Sequence, residues 1–170
     1  MFEKQAAPLL KKIHHSGYVI LPRVIKITGL PESAVCEKVK DILKMKPPTT
    51  VGIYARLGEV ALKITAKAAG VRPAEKAIAP VEKKIRRRLG GYVFATGNQT
   101  LEGAVGELLT KHKKTLAVAE SCTGGLISSR ITDVPGSSGY FLMGVAAYSN
   151  RIKQRFLGVP EEALKRHGAV

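Results

Sequence analysis

Two short apolar runs, each followed at once by small polar residues, constrain the fold of this chain more than any other feature. Residues 115–120 read TLAVAE and lead into SCTGG, after which a helical pattern begins near Leu126. The second run, 141–147, leads into YSNRIK. Short apolar runs bounded by turn residues predict buried strands, and a helix between them is typical of an open α/β sheet. Ligands bind such sheets at the carboxyl ends of the strands, where hydroxyl residues, glycines, a tyrosine and a lysine are found here.

The first 97 residues predict a separate small α+β domain. Its order is α-β-α-β-β-α, with strands over 18–28, 49–56 and 60–67 and a short final strand over 92–95. The helices are predicted over 2–15, from 29–32 to a stop at Pro47-Pro48, and over 73–89. Residues 60–67 alternate between apolar and polar, as expected for a half-exposed strand. Pro80 predicts a kink or a later start in the third helix.

A polar, glycine-containing stretch, ATGNQ at 95–99, marks the domain boundary. The sequence therefore predicts one domain over residues 1–97 and a second over 98–170. Thr100 is a suitable N-cap for the first helix of the second domain. We expect that helix to bury four apolar side chains: Leu101, Val105, Leu108 and Leu109.

A formal charge of +15 is the most unusual global property of the chain. It is compatible with attraction to nucleic acid, but the basic residues are dispersed over predicted solvated helix faces. The densest cluster, 83–88, lacks the interleaved aromatics that stack single-stranded bases. Glycine pairs with GxxG spacing occur at 103–106, inside a predicted helix, and at 136–139, so neither forms the loop of an RNA-binding KH module. We therefore expect the first domain to serve structure and assembly rather than RNA binding.

The remaining global features exclude several classes of protein. No apolar run approaches the ~20 residues that a membrane-spanning helix needs, and the N-terminus has no signal-peptide pattern. The two cysteines, Cys36 and Cys122, suggest neither a zinc cluster nor a disulfide framework, which fits a reducing cytoplasm.

The SCTGG stretch has two interpretations. If it opens a helix, free backbone N–H groups at the positive end of the helix dipole bind phosphate readily. Gly124 and Gly125 would then allow the phosphate to approach closely, and Thr123 or Ser121 would add hydroxyl donors. It is equally a tight strand–helix turn with a threonine cap. The pattern lacks the lysine of a P-loop, so the residues alone leave both interpretations open.

Amide hydrolysis through a covalent intermediate needs an activated nucleophile. None of the four histidines has an evident serine partner, so a Ser-His-Asp triad is not supported. A Ser-Lys pair needs a lysine that is uncharged at working pH. Lys153 is a candidate, because it lies at the start of a predicted helix, where the positive helix end disfavours the ammonium form. The alternative is an ordinary surface lysine. We expect Cys122 to be a small buried residue rather than a nucleophile.

Five words of the sequence, AESCTGG, DVPGSS, YSNxxK, LGVP and HGAV, resemble the opening of the C-terminal domain of the CinA (competence/damage-inducible) family, which is similar to nicotinamide mononucleotide deamidases. Residues 1–112 resemble, more weakly, the family's KH-type middle domain. The resemblance implies a three-layer α/β fold for the second domain. It implies hydrolysis of nicotinamide mononucleotide to nicotinic acid mononucleotide and ammonia, with no cofactor and no metal, by a homo-oligomer. The alternative is a basic KH-like module for nucleic-acid binding or oligomerisation.

The resemblance also implies roles for individual residues. Ser138 corresponds to the nucleophile, Lys153 to the general base, Tyr148 to a proton relay, and Ser121 to a further hydroxyl of the active site. Substrate or phosphate contacts are implied for five more residues: Thr123, Gly124, Gly125, Ser137 and Asn150.

The two ends of the chain differ from the family pattern. The family's domain continues past HGAV through a glycine-rich segment and further strands, and MFEKQAAPLL resembles an internal junction. We therefore expect this polypeptide to be an internal piece of a longer protein, with little or no deamidase activity alone and an exposed sheet edge prone to association.

Overall fold

The computed structural model describes residues 17–169, which divide into two compact units at Asn98/Gln99. The helix predicted over 2–15 lies outside the described residues. The first unit comprises β1 (Val19–Ile27), α1 (Glu32–Leu43), β2 (Thr49–Arg56), β3 (Glu59–Ala68), α2 (Val71–Leu89), a 3-10 turn (Gly90–Tyr92) and β4 (Val93–Thr96). The second comprises α3 (Leu101–Lys111), β5 (Leu116–Glu120), α4 (Leu126–Thr132), a 3-10 turn (Ser137–Gly139), β6 (Phe141–Ala146), α5 (Asn150–Leu157) and α6 (Glu161–His167).

The first unit is built on an antiparallel sheet in the order β2-β3-β1-β4. In β3 every second side chain from Val60 to Ala66 is buried, which confirms the predicted alternation. These side chains pack with the buried stripes of α1 and α2 in one hydrophobic core. Its largest fully buried members are Ile25, Ile27, Ile42, Leu62, Ile64, Ile78, Ile85 and Leu89. Burying each such side chain contributes about 1.5–3 kcal/mol, so this face of the sheet holds the unit together.

Helix α2 differs from the prediction at its start. It begins at Val71, earlier than expected, and continues through Pro80 as a single helix to Leu89. The prediction of a later start is therefore wrong. Pro80 and Lys76 are both exposed, so the carbonyl that loses its partner to the proline ring can bond to water instead.

The second unit contains a parallel pair, β5 and β6, connected through α4. Leu116 pairs with Phe141 at one end and Glu120 with Ala146 at the other, so the carboxyl ends of both strands meet at one edge. The prediction of buried strands is wrong, because every apolar residue of β5 and β6 is half-buried or exposed and Glu120 is the buried residue of the pair. The described residues place too little structure around this two-stranded sheet to cover both faces.

Helix α3 differs in part from the prediction, because Leu101, Val105 and Leu109 are only half-buried. Leu108 is 57% exposed, whereas Ala104 and Gly106 are buried. The expectation that Leu108 is a core residue is therefore wrong. Because the residue at position 106 is a glycine, the ring of Tyr140 approaches the backbone of α3 closely. The Arg130–Glu102 ion pair, at 2.8 Å, joins α4 to α3.

Candidate active site

The carboxyl edge of the parallel pair gathers most of the polar residues that the sequence singled out. Beyond the last strand pair, the Ala147 N–H donates to the Glu120 carbonyl at 2.8 Å, which continues the pairing past β6. The turn after β5 (Ser121–Gly125) and the segment after β6 (Tyr148–Lys153) therefore lie at the same edge of the sheet. We call this edge, defined by those two segments, the carboxyl-edge site.

The turn after β5 is closed by its own backbone. The Gly124 N–H donates to the Ser121 carbonyl at 3.0 Å, and the Leu126 N–H donates to the Thr123 carbonyl at 3.1 Å. Gly124 and Gly125 have φ values of 59° and 102°, a left-handed region that side chains with a Cβ rarely adopt. Thr123 and Gly124 are exposed and Ser121 is half-buried, so the turn presents polar groups to solvent.

Glu120 organises this turn, although no sequence pattern singled it out. Its side chain is buried: Oε2 accepts the Ile127 N–H at 2.9 Å, and Oε1 accepts the Ser128 N–H at 2.9 Å and the Ser128 hydroxyl at 2.6 Å. Burial raises the pKa of this carboxyl, but the hydrogen bonds from Ser128 and Ile127 outweigh it and lower the pKa to about 2. A signal was available, because a glutamate that ends an apolar strand needs partners if it is buried.

The contacts of Glu120 correct the predicted basis of phosphate binding. The expected free N–H groups at the start of α4 are already bonded, those of Ile127 and Ser128 to Glu120 and that of Leu126 to Thr123. An internal carboxylate thus occupies the position proposed for a phosphate. Substrate contacts by Thr123, Gly124 and Gly125 remain predictions, which now rest on the exposed turn rather than on the helix end.

Lys153 lies at the carboxyl-edge site and is 7% exposed, so the alternative of an ordinary surface lysine is wrong. Its Nζ donates to the Ala169 carbonyl at 2.6 Å. The Ser149 hydroxyl caps α5 by accepting the Ile152 N–H at 3.3 Å, which fixes the first turn of the helix and with it the backbone of Lys153. Tyr148 is 73% exposed and Asn150 is exposed, so both are open to a ligand.

The serine turn lies at the opposite edge of the sheet. Ser137 and Ser138 form the 3-10 turn that precedes β6, and the Leu116 N–H donates to the Tyr140 carbonyl at 2.7 Å, beside the amino ends of both strands. Ser137 is buried and Ser138 is exposed. The Ser138 hydroxyl makes no hydrogen bond to another described residue, Lys153 included. The structure therefore brings Ser121, Tyr148 and Lys153 to one edge and leaves Ser138 at the other.

Cys122 is exposed in the turn after β5, so the prediction that it is a small buried residue is wrong. The turn directs its side chain to solvent because the chain has left the strand at Glu120. Across residues 17–169, no three His, Cys, Asp or Glu side chains lie together as metal ligands would.

The basic cluster on α2 is largely paired within the first unit. Lys84 bonds to Asp41 at 2.7 Å, Arg88 bonds to the same carboxylate, and Arg86 bonds to Glu82 at 2.9 Å. Hydrogen bonds from Arg88 and Lys84 lower the pKa of Asp41 well below its ordinary value. Of the 28 lysines and arginines, 19 lie within residues 1–98. The ion pairs neutralise part of the cluster, whereas Lys83 and Arg87 are exposed. None of the helices between residues 17 and 169 is long and apolar enough to cross a membrane.

These features define a class: a mixed α/β protein in which a KH-like α+β unit precedes an α/β unit with polar residues at its strand ends. Residues 22–95 match the model of the damage-inducible protein CinA KH domain, and residues 98–170 match that of the CinA C-terminal domain. The chain belongs to the CinA family, which confirms the resemblance and the predicted mixed fold.

Relatives from several bacteria align with the whole chain. It is 44% identical over 170 residues to a CinA-like protein of Dictyoglomus thermophilum, and 46% identical to a putative competence-damage inducible protein of Moorella thermoacetica. Both alignments cover 100% of this chain and 41% of the relative. The chain therefore spans about two fifths of the length of these relatives.

Solved structures of the family overlap part of the chain. The competence/damage inducible protein CihA of Agrobacterium tumefaciens is 38% identical, with 41% of this chain and 42% of that one covered and a TM-score of 0.40. A CinA superfamily protein of Escherichia coli is 28% identical, with 42% of each chain covered and a TM-score of 0.41.

Proposed function

We propose that this chain carries part of a nicotinamide-nucleotide amidase, which hydrolyses nicotinamide mononucleotide to nicotinic acid mononucleotide and ammonia. The observation that carries the proposal is the burial of Lys153 at the carboxyl-edge site. Burying an ammonium group is costly unless it is well paired, and the only hydrogen-bond acceptor of Nζ among the described residues is the Ala169 carbonyl. A buried amine at the same sheet edge as a glycine-containing turn suits proton transfer better than it suits stability.

The reaction uses Ser138 as nucleophile. Its Oγ attacks the carboxamide carbon, and its proton passes to Nζ of Lys153. The tetrahedral intermediate then expels ammonia, which takes up a proton from Lys153 through Tyr148. Water hydrolyses the resulting acyl-enzyme with the same amine as base, which gives the carboxylic acid and frees the serine. Backbone N–H groups of the glycine turns are candidates to bind the oxyanion, except that of Gly124, which already donates to the Ser121 carbonyl.

The other residues of the carboxyl-edge site support binding. We assign substrate contacts to the hydroxyls of Ser121 and Thr123 and to the amide of Asn150, while Ser137 lies buried in the serine turn. No metal or cofactor is needed, because each proton and bond in the scheme is accounted for by these side chains and water.

The test is ammonia release from nicotinamide mononucleotide by the full-length protein and its Lys153→Met variant. We expect the variant to lose at least a hundredfold in kcat, because general base catalysis contributes about 10²–10⁴-fold. The matched control is Lys165→Met, since that lysine is exposed in α6 and paired with Glu161 at 2.7 Å. A Lys153→Met variant as active as the parent would remove the assignment.

A further inference from the structure

The antiparallel sheet of the first unit has a second face, opposite the one that α1 and α2 cover. The two helices pack on the buried side chains of β1, β2 and β3. Successive side chains of a strand point to opposite faces, so the positions between the buried ones form a separate surface. We call this surface, formed by the outward positions of β1, β2 and β3, the open face. It carries Lys26, Gly52, Tyr54, Arg56, Lys63 and Lys67, each of which is exposed or half-buried.

The strand register places a tyrosine ring beside lysines on the open face. Tyr54 and Lys26 both pair with Ala61, so these three residues form one row across the sheet. Lys63 pairs with Gly52 in the next row, which makes it a diagonal neighbour of Lys26 at about 7–8 Å. A Cβ at position 52 would lie 3.2 Å from Tyr54 Cε2, so the glycine lets the ring lie against the strand. The tyrosine is 56% exposed, and its ring is therefore open to a ligand.

The open face is strongly cationic. Four positive side chains lie on it: Lys26, Arg56, Lys63 and Lys67. Glu59 is the one carboxylate at the outward positions of these three strands, and it pairs with Arg56 in the register, so four cations and one anion leave a net charge of +3. None of the four cations forms an ion pair with another described residue, in contrast to the paired cations of α2. Lys67 instead lies over the ring of Tyr18, at 4.9 Å from its centroid.

We propose that the open face binds single-stranded nucleic acid, with a base stacked on the Tyr54 ring and phosphates held by Lys26 and Lys63. An exposed ring set among cations suits a single strand, because stacking accepts any base and the cations neutralise the backbone. Duplex DNA and an anionic membrane would use the cations but offer no unstacked base to the ring. The charge and the ring together therefore favour a single strand.

This surface differs from the RNA-binding surface of a KH module, which clamps the backbone with a GxxG loop. The open face needs no such loop, because it lies on the side of the sheet that α1 and α2 leave uncovered. Its residues are spread over three strands between positions 26 and 67, so no cluster in the sequence indicates it. The proposal goes beyond the proposed amidase and is independent of it.

The experiment is fluorescence anisotropy of labelled oligo(dT) and oligo(U), each about 12 nucleotides long, titrated with the full-length protein at several salt concentrations. Each phosphate contact on a single strand contributes about −0.7 to the slope of log affinity against log salt. The double variant Lys26→Gln/Lys63→Gln should therefore weaken binding and make this slope shallower by about 1.4. The matched control is Lys76→Gln/Lys83→Gln, which removes the same charge from exposed positions of α2 and should leave the slope nearly unchanged.

Substitutions of Tyr54 test the stacked base. Tyr54→Leu should weaken binding about five- to 150-fold, which corresponds to the loss of one stacked base. Tyr54→Phe keeps the ring and should bind as the parent does. Because the tyrosine is 56% exposed, neither change should unfold the protein, and circular dichroism checks this. Binding of either oligonucleotide that depends on both the ring and the lysine pair supports the proposal, and the two affinities show whether DNA or RNA is bound more tightly.

Five results would overturn the proposal. The first is an absence of binding at about 50 mM salt, where phosphate contacts are strong. The second is binding that Tyr54→Leu leaves unchanged, which indicates a general polyanion surface. The third is duplex DNA that binds as tightly as the single strands, and the fourth is tighter binding to phosphatidylserine vesicles than to either oligonucleotide. The fifth is displacement of the oligonucleotide by excess nicotinamide mononucleotide, which would place the strand at the carboxyl-edge site. Loss of the amidase assignment would leave the proposal unaffected.

Discussion

The contact between Gly106 and Tyr140 gives a prediction that runs against the usual effect of its substitution. Replacing a glycine inside a helix with alanine ordinarily stabilises a protein by about 0.5–1 kcal/mol. At Gly106, however, the added Cβ lies 2.9 Å from Tyr140 Cζ and 3.3 Å from Cε1, and the ring is buried. Overpacking of a buried contact costs about 1–3 kcal/mol. We therefore expect Gly106→Ala to destabilise the second unit by about 1–2 kcal/mol.

Scanning calorimetry of the full chain measures this effect as a melting-temperature shift. A loss of 1 kcal/mol lowers the melting temperature of a unit of this size by about 4–8 °C, so we expect a decrease of roughly 5–10 °C in the transition of the second unit. Gly103→Ala in the same helix is the control, because its Cβ meets only the Thr100 hydroxyl oxygen, at 3.2 Å. That control should leave the melting temperature unchanged or raise it.

The hydroxyl of Tyr140 provides a second check of the same contact. It is buried without a hydrogen-bond partner among the described residues, so Tyr140→Phe should be neutral or slightly stabilising. The hydroxyl is also the atom nearest to the added Cβ, so Gly106→Ala should cost less in the Tyr140→Phe background. A rise in melting temperature for Gly106→Ala, or an equal cost in both backgrounds, refutes the reasoning.

Three further predictions concern stability. Leu62→Ala should cost about 2–5 kcal/mol by urea unfolding, because Leu62 is fully buried, whereas Leu57→Ala, at a 94% exposed position, should change little. Thr100→Ala should cost about 0.5–2 kcal/mol through loss of the cap on α3, and Thr100→Ser should restore most of it. The ionised Glu120 carboxylate, whose pKa is lowered from 4.5 to about 2, stabilises the second unit fully above pH 4.5 and progressively less as the pH falls towards 2. In Glu120→Gln, the melting temperature should therefore depend less on pH between 4.5 and 2.

The elements of the first unit could be predicted from sequence because its periodicity is strong. The alternation in β3 and the stripe of α1 each specify which face is buried, and the structure buries those faces. The second unit was harder, because its helix α3 packs through small residues. A glycine such as Gly106 contributes nothing to a hydrophobic stripe, so a reading based on large apolar residues selects Leu108, which is exposed.

The position of Ser138 was predictable in part. A residue that precedes a strand lies at its amino end, and one that follows lies at its carboxyl end, so the order of Ser138, the apolar run and Lys153 already separates the two groups. Similarity to a family motif indicates which residues share a role, but it does not indicate at which end of a strand each residue lies. The contacts of Glu120 could not be derived from sequence, because they depend on the path of the turn after β5.

The role of Glu120 changes where a nucleotide phosphate can bind. Folds that bind phosphate after the first strand leave the first N–H groups of the next helix free for the ligand. Here the chain's own carboxylate accepts two of those N–H groups, and its charge repels a second anion at the same position. The phosphate of a mononucleotide must therefore be held by side-chain cations or by the exposed backbone of the turn. Arg151, in the first turn of α5, is the exposed cation within the carboxyl-edge site, so under the proposed function Arg151→Gln should raise KM for nicotinamide mononucleotide more than it lowers kcat. An unchanged KM in that variant would exclude Arg151 as the phosphate contact.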